Sequence, residues 1–148
     1  MSLFSLSVAL MVGLLGCEES IKHDEILAGR RAVEFAEAAF VRQDIENAYR
    51  KLSDAAKHYV SAENFRKSVS KLHPKGYPTR IELIEYEPIP TEKSLIYIFL
   101  VGEMAGAQSY YYRLTMEGKA ESDYKVLVIK REYRRYPDSP LRKPLRIK

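Results

Sequence analysis

Leu95-Ile96-Tyr97-Ile98-Phe99-Leu100-Val101 is an unbroken apolar run with Ser94 before it and Gly102 after it. A run this short, rich in β-branched and aromatic residues, reads as a strand. A sheet with one wet face should alternate apolar and polar residues. Here Leu95, Tyr97, Phe99 and Val101 fall on one side and Ile96, Ile98 and Leu100 on the other, and both sets are apolar. Both faces of this strand therefore need a cover. Helices can supply one. The other must come from the C-terminal tail, a second copy of the chain or a different protein.

The flanking sequence extends the same pattern. Gly102 and Gly106 bracket a turn, and residues 108–117 then alternate. Tyr110, Tyr112, Leu114 and Met116 take one face; Tyr111, Arg113, Thr115 and Glu117 take the other. Residues 118–123 are a polar turn, and residues 124–133 form a last strand centred on Val126, Leu127, Val128 and Ile129. Upstream, residues 79–86 are rich in Ile, Leu and Tyr and stop near Pro88 and Pro90. Connections this short suit sequential antiparallel hairpins.

The first half of the chain has a different period. Residues 24–43 read as one helix, with Asp24 as its cap and Ile26, Val33, Ala36 and Phe40 at helical spacing. Asp44 caps a short helix carrying Ile45, Ala48, Tyr49 and Leu52. Ser53 caps a single turn, and Ser61 a fuller helix with Phe65, Val69 and Leu72 on one face. His73-Pro74-Lys75-Gly76 ends it, because the residue before a proline is pushed out of the helical region. Helices first and strands second predict an α+β domain: helices on one face of a curved antiparallel sheet of about four strands.

The chain has 148 residues, 46% of them apolar and 30% charged, which is a globular composition with room for one domain. It has a single cysteine, so no intramolecular disulfide can form. That cysteine has a telling position. Residues 1–16 carry no charge and are apolar from Val8 to Leu15, too short for a membrane span but suited to the core of an export signal. Leu14-Leu15-Gly16-Cys17 follows, and it resembles the lipobox of bacterial lipoproteins. The resemblance implies cleavage before Cys17, acylation of its thiol, and a tether over residues 17–23. No basic residue precedes Leu3, and an upstream start would supply the usual one. The implied address is the cell envelope, on the periplasmic side of the outer membrane in a Gram-negative cell, since Glu18 rather than Asp follows the cysteine.

Residues 36–72 carry a second resemblance. Phe40-Val41-Arg42-Gln43-Asp44 leads into Ile45-Glu46-Asn47-Ala48-Tyr49-Arg50-Lys51-Leu52-Ser53, and Ser61-Ala62-Glu63-Asn64-Phe65 follows a short helix. This layout is similar to the nuclear transport factor 2-like superfamily, a cystatin-like α+β cone that occurs in small bacterial lipoproteins. The resemblance implies a cone over residues 24–136 and frequent dimers through the sheet. It leaves function open, because the fold hosts enzymes, binding modules and assembly proteins.

Catalytic signals are sparse. Enzymes of that superfamily use a buried carboxylate in the cone, and a base needs a dry site and a partner. Only Glu85 and Glu103 approach the inner strand faces here, both near strand ends and both best read as solvated or salt-bridged. His58 and His73 sit near helix ends, where a charged imidazole complements the dipole. Tyr97, Tyr110 and Tyr112 are the candidates to line a ligand cavity; the plainer reading is core packing. No group of residues has metal-ligand spacing and no glycine-rich phosphate loop is present, so neither metal nor cofactor is expected.

Charge collects at the end of the chain. Residues 130–148 hold eight Lys or Arg against Glu132 and Asp138, a net of +6, while the whole chain is +4. Pro137, Pro140 and Pro144 argue against a regular element in residues 137–148. Arg131, Arg134, Arg135, Arg142, Lys143 and Arg146 are candidates to contact an anionic surface, and the export signal disfavours nucleic acid as the partner. The expectation is a lipid-anchored, non-enzymatic binding or assembly module, partnered by the membrane through Cys17 and by a second copy or an envelope protein through the sheet. The alternative is a small-molecule pocket protein of the lyase or isomerase type. An open cavity with a buried carboxylate would favour the alternative; a filled core would favour the module.

Overall fold

Four side-chain caps start the four helices of the computed structural model, which describes residues 21–148. Asp24 accepts from the Leu27 amide and opens α1 (Glu25–Ala36); Asp44 accepts from Asn47 and opens α2 (Ile45–Arg50). Ser53 accepts from Ala56 at α3 (Asp54–Tyr59), and Ser61 from Asn64 at α4 (Ala62–Leu72). Each oxygen satisfies an amide that the first helical turn leaves free, contributing about 1 kcal/mol.

Residues 24–43 are not one regular α-helix. After Ala36 the chain widens into a π-helical turn, Glu37–Val41, with the Arg42 amide bonding back to the Glu37 carbonyl. The extra residue shifts the buried stripe, so Ala38, Ala39 and Phe40 are all buried in succession. Helical spacing alone cannot anticipate this, because three adjacent residues span most of a helix's circumference.

The second half is a five-stranded antiparallel sheet in the order β4-β3-β2-β1-β5. Its strands are β1 (Arg80–Pro88), β2 (Leu95–Glu103), β3 (Ser109–Glu117), β4 (Lys125–Glu132) and β5 (Lys143–Pro144). The molecule is therefore α+β, with five strands where four were expected. The sheet is not closed into a barrel: β4 and β5 are its two edges. Ile96, Ile98 and Leu100 of β2 and Tyr110, Tyr112, Leu114 and Met116 of β3 join Phe35, Phe40, Phe65 and Val69 in one core. Gly102 of β2 lies beneath Tyr112, where a Cβ would come within 2.8 Å of the ring.

The other face of β2 is covered by the chain itself. Phe99 points away from the helices and is only 1% exposed. After β4 the chain crosses this face as a strap. Tyr136 packs edge-on against Phe99, and the Arg142 guanidinium lies 4.0 Å from the centre of its ring. Arg113 of β3 stacks over Tyr97 and Tyr136. The strap then pairs with the β1 edge through Lys143 and Pro144, and Leu145 is buried beside Gly29 of α1. A Cβ on Gly29 would stand 2.9 Å from Leu83 and 3.0 Å from Leu145, so the glycine lets the strap's end seat against the helix.

A β-bulge at Ile84 makes the strap's ion pairs possible. Ile81 and Leu83 face the helices, and strict alternation would turn Glu85 and Glu87 inward too. The register shifts between Leu83 and Glu85, so Glu85 stands opposite Phe99 and Glu87 opposite Tyr97, on the strap side. There Arg135 pairs with Glu85, while Arg142 pairs with Glu87 at 3.2 Å and lies 4.0 Å from Glu85.

Three sequence expectations change here. Residues 137–148 are an integral part of the domain and carry a strand, because Pro144 sits at the sheet edge where a missing N–H costs little. Of the three possible covers for β2, the C-terminal tail occupies the face, so another protein would meet the strap and not a bare strand. Lys22 and His23 are docked on the domain: the Lys22 carbonyl accepts from Ala120, and His23 and the Asp24 amide both meet the Tyr124 hydroxyl. Residues 1–16 and Cys17 lie outside the described residues.

Arg142→Ala removes the cation from Phe99 and from two largely buried glutamates at once. It is expected to destabilise the protein by about 3 kcal/mol in urea unfolding, because the carboxylates stay buried without it. The same change made on Glu87→Gln should cost clearly less, since one stranded charge is gone. A loss within the roughly 0.5 kcal/mol of ordinary surface substitutions would show that the strap does not seal the sheet.

Candidate functional site

The three tyrosines picked out by sequence do not share a surface. Tyr110 pairs with Gly102 and Tyr112 with Leu100, so both face the helices; Tyr97 pairs with Thr115 on the opposite face, under Arg113. Tyr97 therefore cannot join the other two around one cavity. Tyr110 and Tyr112 are fully buried. Phe40 stacks on Tyr112 with centroids 4.7 Å apart, placed there by the π-helical turn.

His73 completes this aromatic group. It caps α4 and is 4% exposed, between Phe40, Tyr77, Tyr110 and Tyr112. Its Nδ1 is 2.7 Å from the Val69 carbonyl, which can only accept, so Nδ1 carries the proton. Nε2 is then the acceptor, and the Tyr112 hydroxyl donates to it at 2.7 Å. Burial lowers the His73 pKa against the opposing bond to Val69, and the Arg131 charge lowers it further. The ring is thus neutral, and its place at the helix end is not that of a charged dipole partner. Burial also drives the Tyr112 phenol far above the ordinary tyrosine range, so it stays a donor. This pair is closed to solvent and holds α4 on β3.

The surface beside the group is open and cationic. A cleft of about 340 Å³ lies at the end of the sheet where β2 and β4 finish and β3 begins. Lys75, Met104, Gln108, Ser109, Tyr111 and Tyr133 line it, with the Tyr110 ring behind them. The Tyr110 hydroxyl accepts from the Lys75 amide at 3.3 Å. Lys75 Nζ is 4.9 Å from the centre of the Tyr133 ring, and the Arg131 guanidinium 4.2 Å from it and 5.0 Å from that of Tyr110. No acidic side chain lines the cleft. A larger trough of about 1060 Å³ runs along the uncovered half of β1, but Glu82 and Glu85 balance Arg135 and Arg146 there.

The six basic residues proposed for an anionic surface divide. Arg142 has a side chain only 9% exposed and is bound to Glu87, and Arg135 is bound to Glu85; neither is free for an outside partner. Arg134, Lys143 and Arg146 are exposed, and Arg131 is half-buried against the two rings. Glu103 is paired with Arg80 at 2.6 Å, and Glu85 lies on the strap side, away from the core between helices and sheet. Among the described residues no three His, Cys, Asp or Glu side chains come together as a metal site. No helix among them is long and apolar enough to cross a membrane.

Sequence reasoning missed His73 and Lys75, reading both as helix-stop residues. A signal was present: Phe65, Val69 and His73 fall at intervals of four, which places the imidazole on the apolar face of α4. The cleft had none, since it joins residues from α4's end, two hairpin ends and the start of the strap. Comparison with protein-family models, with curated proteins and with solved structures found no match to this chain.

His73 predicts an acid-side loss of stability. An unfolded His binds its proton near pH 6.5, and the folded ring resists it. The stabilisation is complete above about pH 6.5 and is lost as pH falls toward the lowered folded value. His23, also lowered mainly by burial, adds in the same direction. His73→Gln can keep the bonds to Val69 and Tyr112 without titrating, so its thermal midpoint should fall less between pH 7 and pH 5 than that of the wild type. Equal slopes would show that His73 is not the group responsible.

Proposed function

We propose that this protein is a lipid-anchored binding module of the cell envelope, exported by residues 1–16 and held by lipid on Cys17. The domain it carries is read as a nuclear transport factor 2-like cone, in keeping with its helix-first, sheet-second order. The observation that carries the reading is Leu14-Leu15-Gly16-Cys17 at the end of an uncharged apolar segment, and the way the chain leaves Cys17 adds an orientation. Five residue steps separate Cys17 from Lys22, a reach of at most about 18 Å. Lys22 is bonded to Ala120 in the β3–β4 turn. The lipid would therefore keep that turn close to the bilayer.

The cationic cleft lies at the other end of the sheet. β4 alone spans about 23 Å between the two ends, at ~3.3 Å per residue step. Arg131 stands near its far end and Arg134 just beyond it. On this reading they face away from the anchoring membrane, toward a partner or ligand in the compartment beyond. The interior filled by Tyr110, Tyr112, Phe40 and His73 supports a module over a pocket enzyme of the lyase or isomerase type, since it leaves a substrate no room beside a base.

The anchor is tested on the full chain expressed in a bacterium with radiolabelled palmitate. The wild type should take up label, fractionate with membranes and begin at a modified Cys17 by mass spectrometry. Cys17→Ser should lose the label and the membrane association. A wild-type product that retains Met1 and a free Cys17 thiol would overturn the proposal.

A further inference from the structure

We propose that the cleft at the far end of the sheet is a binding site for a small soluble oxyanion, a carboxylate or a phosphate group. The inference stands on the cleft's own chemistry and does not depend on the lipid anchor. Several cations elsewhere meet carboxylates: Arg31 meets Asp123, Arg80 Glu103, Arg135 Glu85 and Arg142 Glu87. Arg113 has no such partner and lies between Tyr97 and Tyr136 on the strap side, whereas Arg131 and Lys75 stand beside an open cleft. No ion pair joins either of them to an acid among the described residues, and both lie over the same Tyr133 ring.

Arg131 is the stronger clue. Its guanidinium packs on Tyr110 and Tyr133, and its buried Nε has no hydrogen-bond partner. A half-buried cation without a counter-charge is costly, and ring faces offset only part of that cost. Its charge also reaches the His73 ring, which responds by staying neutral. The interior therefore adds no second cation and supplies no anion. An anion from outside would complete the charge that the chain leaves open here.

The cleft supplies what an oxyanion needs. Lys75 lines it and gives a mobile ammonium, and beside it the Arg131 guanidinium, stacked on the Tyr110 and Tyr133 rings that form part of its wall, carries N–H donors. Ser109 and Gln108 add neutral donors, and the Tyr133 ring gives the rest of a ligand a flat surface to lie on. A volume of about 340 Å³ holds a small molecule and excludes a folded domain.

The test uses the full chain in zwitterionic detergent micelles at constant ionic strength. Inorganic phosphate and citrate are titrated separately, with amide NMR shifts at Lys75, Gly76, Gln108 and Ser109 as the readout. Saturable shifts confined to these positions are expected with at least one probe, and the two arms distinguish phosphate from carboxylate preference. Arg131→Gln and Lys75→Gln should each weaken binding about tenfold, the loss of one charged hydrogen bond. Arg131→Lys, which keeps the charge, should retain part of the affinity and guards against a folding defect in the glutamine variant. Shifts that never saturate, that spread equally over Lys130, Arg134 and Arg146, or that are unchanged in both glutamine variants would overturn the site.

Discussion

Phe99 lies on the side of β2 turned away from the helices and is nevertheless as well buried as Ile98 and Leu100 on the helix side. A central strand that is apolar on both faces cannot leave one of them wet, and burying one Phe side chain is worth about 1.5–3 kcal/mol. The rest of the second half follows from that constraint. The chain returns from β4 across the sheet, lays Tyr136 and Arg142 on the ring, and closes at the β1 edge. A tail rich in Arg and Pro is well made for this. Its guanidinium groups pack flat on aromatic faces while bonding to carboxylates, and its prolines stiffen a segment that has no helix to form.

The Ile84 bulge and the strap are interdependent. Without the register shift, Glu85 and Glu87 would project into the apolar core, where ionised carboxylates are prohibitively costly. With it, they meet Arg135 and Arg142 on the outer face. The bulge thus turns two acidic residues from a defect of the core into the clasp of the strap, and Leu145 beside Gly29 fastens the end.

The helix side of the sheet follows a different electrostatic plan. Its polar groups are kept neutral: Tyr112 donates one short hydrogen bond to His73, and His73 donates its single ring N–H to the Val69 carbonyl. Charge is displaced to the margin, where Lys75 and Arg131 rest on tyrosine rings. The interior is thus filled and neutral, and the cations stand at an open margin.

Local chemistry made much of this legible. Each of the four caps lies one residue before its helix, and the alternation in residues 108–117 sorted the two faces of β3 correctly. The apolar run in β2 announced a second cover without saying which. The candidate site was less legible, because Lys75, Gln108, Ser109, Arg131 and Tyr133 come from three segments far apart in the sequence. Tyr97 was misplaced for a related reason: parity within one strand says nothing of parity in the next until the register is known. The sequence by itself determined the α+β order, the helix starts and the need to bury both faces of residues 95–101, because caps, periodicity and hydrophobicity act over a few residues. Only the tertiary structure decided that the tail supplies that cover, that the bulge turns Glu85 and Glu87 outward, and that Arg131 lacks an acid, because each depends on which distant segments the packed sheet brings into contact.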